Sequence, residues 1–302
     1  MTTAIEYALM AGASYISNRP DINKFPIPNG WFELPVSHAN DPATGFEAST
    51  FTNGMEIVIS FAGTYDNPNN PFTNPDMQAD AALGLGLWSD QLGQAADYYL
   101  QVKAGAPVGT VISFTGHSLG GGLAALMGVF FGETAFTFDQ APFAKTAQMG
   151  AKALKDYLSR VDAQGNRLYS DAKLSGLTDY IQQQQAHLSF ITPIPNQDLV
   201  TNLNVQGELL STFPYNIMDR IGAQAVIPDN TNGVDAGDLH SQALLTAYLE
   251  SNKTATVSGA GQVQSLSEVT YKLTDLLKMI FDKNLFAYKT DGNPPNFSNR
   301  QK

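Results

Sequence analysis

Residues 110–126 read TVISFTGHSLGGGLAAL, and no other stretch restricts the fold of this chain so tightly. Val111, Ile112 and Phe114 form a β-rich apolar run of the kind found in a strand buried on both faces. That run passes directly into Gly116-His117-Ser118-Leu119-Gly120, and Gly121, Gly122, Ala124 and Ala125 then begin a helix with almost no side-chain bulk. The pattern G-x-S-x-G at a strand-to-helix junction makes a sharp, strained turn. Its serine hydroxyl projects from the carboxyl edge of the sheet, beside the free N–H groups of the helix start. Glycine two residues before and two after the serine leaves room for the turn. The plainer alternative is a glycine-rich turn whose serine caps the helix. A phosphate-cradling loop is disfavoured because the Walker lysine is missing.

The rest of the chain supplies more strands and helices in alternation. Residues 2–17 read as a helix with Ile5, Leu9 and Ile16 on its apolar stripe, and Pro20, Pro26, Pro28 and Pro35 then keep the chain extended. GFEASTFTNGMEIVISFAGT is a hairpin whose Asn53-Gly54 provides two positive-φ positions for a tight primed turn. An Asn-, Pro- and Asp-rich loop spans 66–75, and Met77, Leu83, Leu85, Leu87 and Trp88 follow in a glycine-containing segment. Further strands are expected at 109–116, in TAFTFDQAP and in DLVTNLNVQGELL, with helices over 88–104, after Ser118 and in LHSQALLTAYLES. This alternation gives an α/β protein with a mainly parallel sheet. We expect a single domain over 1–302, with a candidate lid at 66–88 and a helical insertion at 143–190. SLSEVTYKLTDLLKMIFDKNLF is amphipathic, with Leu266, Val269, Leu273, Leu276, Leu277 and Ile280 forming a stripe that would dock on the core.

Composition removes several classes of function. The chain has no cysteine, which excludes disulfides, thiolate metal sites and cysteine nucleophiles together. Seventeen basic against 28 acidic residues leave a net charge of −11, so neither nucleic acid nor an anionic membrane surface is an electrostatically attracted partner. The first residues lack a basic region followed by an apolar core, so no Sec signal peptide is expected. No run of about 18 apolar residues is present to span a bilayer. The compartment is left open by these features.

A serine nucleophile needs a histidine base within hydrogen-bond reach and a carboxylate to orient that base. The chain has four histidines, His38, His117, His187 and His240. With the order nucleophile, acid, base expected at such a turn, His240 in GVDAGDLHSQALL is the natural base. His117 adjoins the serine and would pack the turn, and His187 opens a β-like run. Glu208 falls at the carboxyl end of the strand after TAFTFDQAP and is the first choice for the acid. Asp139, ending TAFTFD, is its main rival. Asp198 stands at the wrong end of its strand, and Asp235 and Asp238 have only closeness to His240 in their favour. The oxyanion needs two backbone N–H donors. Leu119 follows the nucleophile, and Thr64 ends the ISFAGT strand with Gly63 letting the backbone approach. PDNTNGVDAGD holds oxygen ligands without EF-hand spacing and reads as a loop presenting His240.

Taken together, GFEAS…NGMEIVISFAGT, GHSLGGGLAAL, FTFDQAPF and GELLSTFP resemble, in that order, the class 3 (fungal-type) lipases and their bacterial phospholipase A1-like relatives. The resemblance covers about residues 45–215, with His240 beyond. It implies an α/β-hydrolase fold, with helices on both faces of the sheet and a lid after the F-x-G-T strand. It also implies Ser118 as nucleophile, His240 as base, and Thr64 and Leu119 as oxyanion donors. Ala62 stands where that family has arginine, Glu208 where it has aspartate, and the 143–190 insertion is foreign to the fungal enzymes. The expected activity is hydrolysis of acyl esters of lipids through an acyl-enzyme on Ser118, with no metal or organic cofactor required. A short-chain ester or thioester substrate and a non-catalytic interaction module are the alternatives. Phospholipid and triacylglycerol stay equally open.

Overall fold

Asn53 and Gly54 join the first long pair of strands in a way that corrects the expected turn. The computed structural model describes residues 2–15, 25–34, 39–64, 74–186, 193–229 and 234–251. Two short strands, β1 (Phe32–Glu33) and β2 (Ala39–Asp41), both pair antiparallel with β3 (Phe46–Thr52), which in turn pairs antiparallel with β4 (Glu56–Phe61). Of the two residues expected at positive φ, only Gly54 adopts it, at +88°. The turn centre is Gly54-Met55, with glycine at the first central position as in type II′. Asn53 instead uses its side chain, whose Oδ1 accepts from the Met55 and Glu56 N–H groups at 3.0 and 2.8 Å. The turn stays primed, one residue later than expected.

After β4 every strand is parallel to the one before. β5 (Val111–His117), β6 (Thr134–Phe138), β7 (Val200–Val205) and β8 (Ala223–Ile227) follow in spatial order, completing an eight-stranded sheet among the described residues. Strands that advance in one direction through right-handed crossovers place all their connecting helices on the same face. That face carries α3 (Asp90–Gly105), α4 (Leu119–Phe131), α5 (Ala144–Met149), α6 (Ala151–Leu158) and α7 (Ser175–Ala186), packed into one large core around Phe114, Leu126 and Phe130. The other face is covered by elements from the two ends of the described chain, α1 (Ala4–Ala13) and α9 (Gln242–Ser251), around Phe138, Leu203, Leu244 and Tyr248.

Several expectations shift. In α1 the residues buried are Ala8, Met10 and Ala11, while Ile5 and Leu9 are only half-buried. The helix lies between α9 and β5, and small side chains let it approach both. The stretch after the loop is not irregular: α2 (Pro75–Gly84) is a helix, started by Asn74, whose Oδ1 accepts from Asp76 N–H, and by Pro75 in the first turn. The strands β1, β2 and β8 were not anticipated. The amphipathic stripe at 266–280, His38, His187 and residues 66–73 of the candidate lid lie outside the described residues.

Candidate active site

The carboxyl ends of β4, β5, β6 and β7 bring the expected residues to one edge of the sheet, where open parallel sheets bind ligands. Ser118 sits between β5 and α4 at φ 58°, ψ −127°, a backbone region that non-glycine residues seldom occupy. Its neighbours explain why it is tolerated. A Cβ on Gly116 would collide with the Gly120 carbonyl, and one on Gly120 would collide with the Phe61 carbonyl. One on Gly122 would strike the Phe143 ring. The helix therefore rests directly on the backbone of β4, and Leu119 is its first residue. The Leu119 N–H is among those an α-helix leaves without an internal acceptor.

His240 follows the short helix α8 (Ala236–Leu239), whose start is capped by Asp235 through Oδ1 and the Asp238 N–H at 2.9 Å. That cap fixes the ring's point of departure, so Asp235 and Asp238 shape the local structure that presents His240. The His240 Nε2 lies 2.9 Å from Ser118 Oγ and its Nδ1 lies 2.6 Å from Glu208 Oε2. Asp198 lies in a 3₁₀ turn (Gln197–Leu199) at the amino end of β7, far from this edge.

Glu208 is fully buried just beyond β7, and each of its oxygens takes two donors. Oε2 accepts from the Leu210 N–H at 2.7 Å in addition to His240. Oε1 accepts from Ser211 Oγ at 2.7 Å and from Arg220 Nη2 at 2.6 Å. Burial pushes the Glu208 carboxyl up, but the hydrogen bond and charge of His240, with Ser211 and Arg220, outweigh it and hold it below the usual carboxylate range. Arg220 also donates through Nε to the Gln140 carbonyl at 2.7 Å, which locks its orientation. Sequence reasoning missed Ser211 and Arg220. The visible signal was an arginine twelve residues beyond the acid in the otherwise charge-poor run LLSTFPYNIMDRIG.

Asp139 directly follows β6 and is also fully buried, with Oδ1 accepting from the Val205 N–H at 2.9 Å. Its Oδ2 stays 4.0 Å from His240 Nδ1 and 3.8 Å from His117 Nε2. Of the two candidate acids, Glu208 is the one within hydrogen-bond distance of the ring. The His117 ring packs against His240 with centroids 4.7 Å apart, and its Nδ1 lies 3.1 Å from the Tyr15 hydroxyl. His117, Asp139 and His240 thus bring three potential metal donors within 4.8 Å. The His240 donor is already engaged by Glu208 at 2.6 Å, so the arrangement favours the hydrogen-bonded relay over an ion.

Gly63 runs past the serine, since a Cβ there would come within 3.2 Å of Ser118 Cβ and strike the His117 carbonyl. Thr64 is the next residue along the chain after this close approach. The Thr64 hydroxyl donates to Asp80 Oδ2 of α2 at 2.7 Å, a contact that sequence reasoning also missed. Burial raises the Asp80 carboxyl to about 7, against the lowering effect of the Thr64 bond.

A family model described as a Tle-like phospholipase domain matches residues 6–236. The extracellular phospholipase A1 of Serratia liquefaciens is 29% identical over 153 residues, which cover 50% of this chain and 42% of that protein. The match therefore spans less than half the length of that relative. Among solved structures, the lipase from Rhizopus microsporus var. chinensis aligns with a TM-score of 0.40 at 13% identity, over 75% of this chain and 76% of its own. The Rhizomucor miehei lipase propeptide complex aligns with a TM-score of 0.36 at 12% identity, over 74% of this chain and 66% of its own. The chain belongs to the Tle-like phospholipase domain family.

Proposed function

We propose that this protein hydrolyses carboxylic esters of phospholipids through an acyl-enzyme on Ser118. The observation that carries the reading is the unbroken relay from Ser118 Oγ through His240 to Glu208, with contacts of 2.9 and 2.6 Å. In this scheme His240 Nε2 takes the hydroxyl proton as Oγ bonds to the ester carbonyl carbon. Glu208 holds the Nδ1–H and balances the imidazolium charge. The oxyanion is met by the N–H groups of Leu119 and Thr64, each worth about 10²–10³ in rate. The imidazolium returns its proton to the leaving alkoxide, and the alcohol departs. Water, deprotonated by His240, then attacks the acyl carbon, and the carboxylic acid leaves as Oγ regains its proton. Family membership and the Serratia relative's name support the phospholipid class.

The test is the intact mass after exposure to a fluorophosphonate, with detergent micelles present and Ser118→Ala alongside. A single adduct on the wild type that is absent from the variant is the expected result. A folded protein without an adduct would overturn the relay as drawn and favour a non-catalytic module. Positional release of fatty acid from phospholipid, against triacylglycerol and short esters, then assigns the substrate.

A further inference from the structure

The turn after β6 carries a carboxyl group that the relay leaves unused. Asp139 is fully buried and stands at φ +39°, where a residue with a side chain is strained. Its Oδ1 is satisfied by Val205, but its Oδ2 has no hydrogen-bond donor among the described residues. An orphaned buried oxygen and a strained backbone are both unfavourable, and both fall on the residue whose free oxygen faces His240 Nδ1 at 4.0 Å.

We propose that Asp139 is a reserve positioning acid, a second acceptor for the Nδ1–H of His240 that takes over when the bond to Glu208 is lost. The proposal rests on the hydrolase reading for its effect on rate, though not for its geometry. A tilt that carries Nδ1 about 1 Å toward Asp139 closes an ordinary N–H···O bond. The charge arrangement makes the substitution self-adjusting. Burial and the negative charge of Glu208 hold the Asp139 carboxyl well above the usual range, while the Val205 N–H and Arg220 draw it down. Removing the Glu208 charge relieves the second upward influence, so Asp139 ionises more readily when an ionised acceptor is needed. The groups facing it are His117 from the end of β5, Glu208 and Arg220 from beyond β7, and His240 after α8.

The experiment compares the rate of fluorophosphonate labelling of Ser118 in the wild type, Glu208→Gln, Asp139→Asn and the double variant, with circular dichroism melts to establish folding. Asparagine keeps an oxygen for the Val205 N–H, so a purely structural role for Asp139 survives the change. We expect Glu208→Gln to lose about 10- to 100-fold, rather than the ~10⁴-fold seen where a triad acid has no substitute. Asp139→Asn alone should stay within about threefold of wild type, and the double variant should fall at least about 100-fold below Glu208→Gln. Labelling of Glu208→Gln should also climb with pH relative to the double variant, as Asp139 ionises. The low-field proton resonance of His240 Nδ1–H should persist in Glu208→Gln and vanish in the double variant. Glu208→Gln as slow as the double variant, with that resonance already lost, would overturn the proposal. A wild type that fails to label would overturn the hydrolase reading instead, and the resonance alone would then decide the role of Asp139.

Discussion

Arg220 shows how one side chain sets the chemistry of another. Its guanidinium is 15% exposed and pairs with the fully buried Glu208, so the pair is shielded from screening. Truncation to alanine leaves a buried carboxylate without its cation, which costs about 3–5 kcal/mol in comparable sites. Arg220→Ala should lower the urea midpoint accordingly and slow labelling of Ser118, because Glu208 loses the donor that fixes its rotamer. An unchanged midpoint would mean that Ser211, Leu210 and His240 suffice to hold the carboxylate. Gly120 is the steric counterpart. Its Cβ would meet the Phe61 carbonyl, so Gly120→Ala must push α4 off β4 or tilt the turn at Ser118. Several kcal/mol of destabilisation follow from such a clash. Thermal melts should register it as a large fall in Tm, whereas Gly105→Ala, which meets nothing within 4 Å, should not lower it. The roles expected for Gly116 and Gly120 were legible because only sterics near the turn are involved. Arg220 was not legible, since nothing local says which carboxylate a distant guanidinium will reach.

At the scale of elements, α2 is the instructive case. Its apolar residues and glycines look irregular in sequence, yet Asn74-Pro75-Asp76 holds a cap, an N1 proline and a first-turn acid, which together start a helix. Its tertiary ties bring it to the site: Asp80 accepts from Thr64, and Gln91 Nε2 donates to Asp76 Oδ1 at 2.7 Å. Thr64→Val removes the first tie while keeping the backbone N–H expected to face the oxyanion. It should lower kcat about tenfold with KM nearly unchanged, since a displaced donor acts on the transition state. A raised KM with kcat unchanged would assign Thr64 to substrate binding instead. In the β3–β4 hairpin, Gly54→Ala forces a side chain to φ +88° and should cost about 1 kcal/mol, readable as a lower chemical midpoint.

Over the whole molecule, the buried Glu208 and Asp139 and the half-buried Asp80 set the pH dependence of stability in opposite senses. Glu208 is depressed on folding, so its contribution is present above its unfolded pKa and is lost as pH falls through the folded value. Asp139 and Asp80 are raised, the latter to about 7, so the native state binds more protons than the unfolded chain and stability declines as pH climbs toward and past neutrality. The net charge of −11 acts in the same direction. Melting temperature should therefore peak on the acid side of neutral. Asp139→Asn should flatten the decline with rising pH, and an unaltered decline would mean that folding does not raise the Asp139 carboxyl. Phe213 and Ile217 are 79% and 72% exposed on the segment that follows Glu208. Replacing both with serine should reduce hydrolysis of micellar ester about tenfold and spare a monomeric soluble ester, as a loss of adsorption would.

The sequence alone determined the features governed by short-range forces. The G-x-S-x-G turn follows from sterics over five residues. The parallel core strands follow from apolar runs that need cover on both faces, and the start of the hairpin turn follows from glycine's tolerance of positive φ. Ser118 and Glu208 are nominated at the ends of apolar strand runs, and His240 by its place after them in chain order. What only the tertiary structure decided is how groups from separate elements meet at the sheet edge. Glu208, not Asp139, stands within hydrogen-bond distance of His240, although both acids follow neighbouring strands. Arg220 and Ser211 hold that acid, and Asp80 holds Thr64. These pairings depend on side chains converging to within about 3 Å through packing of the whole sheet, a distance that no local pattern specifies.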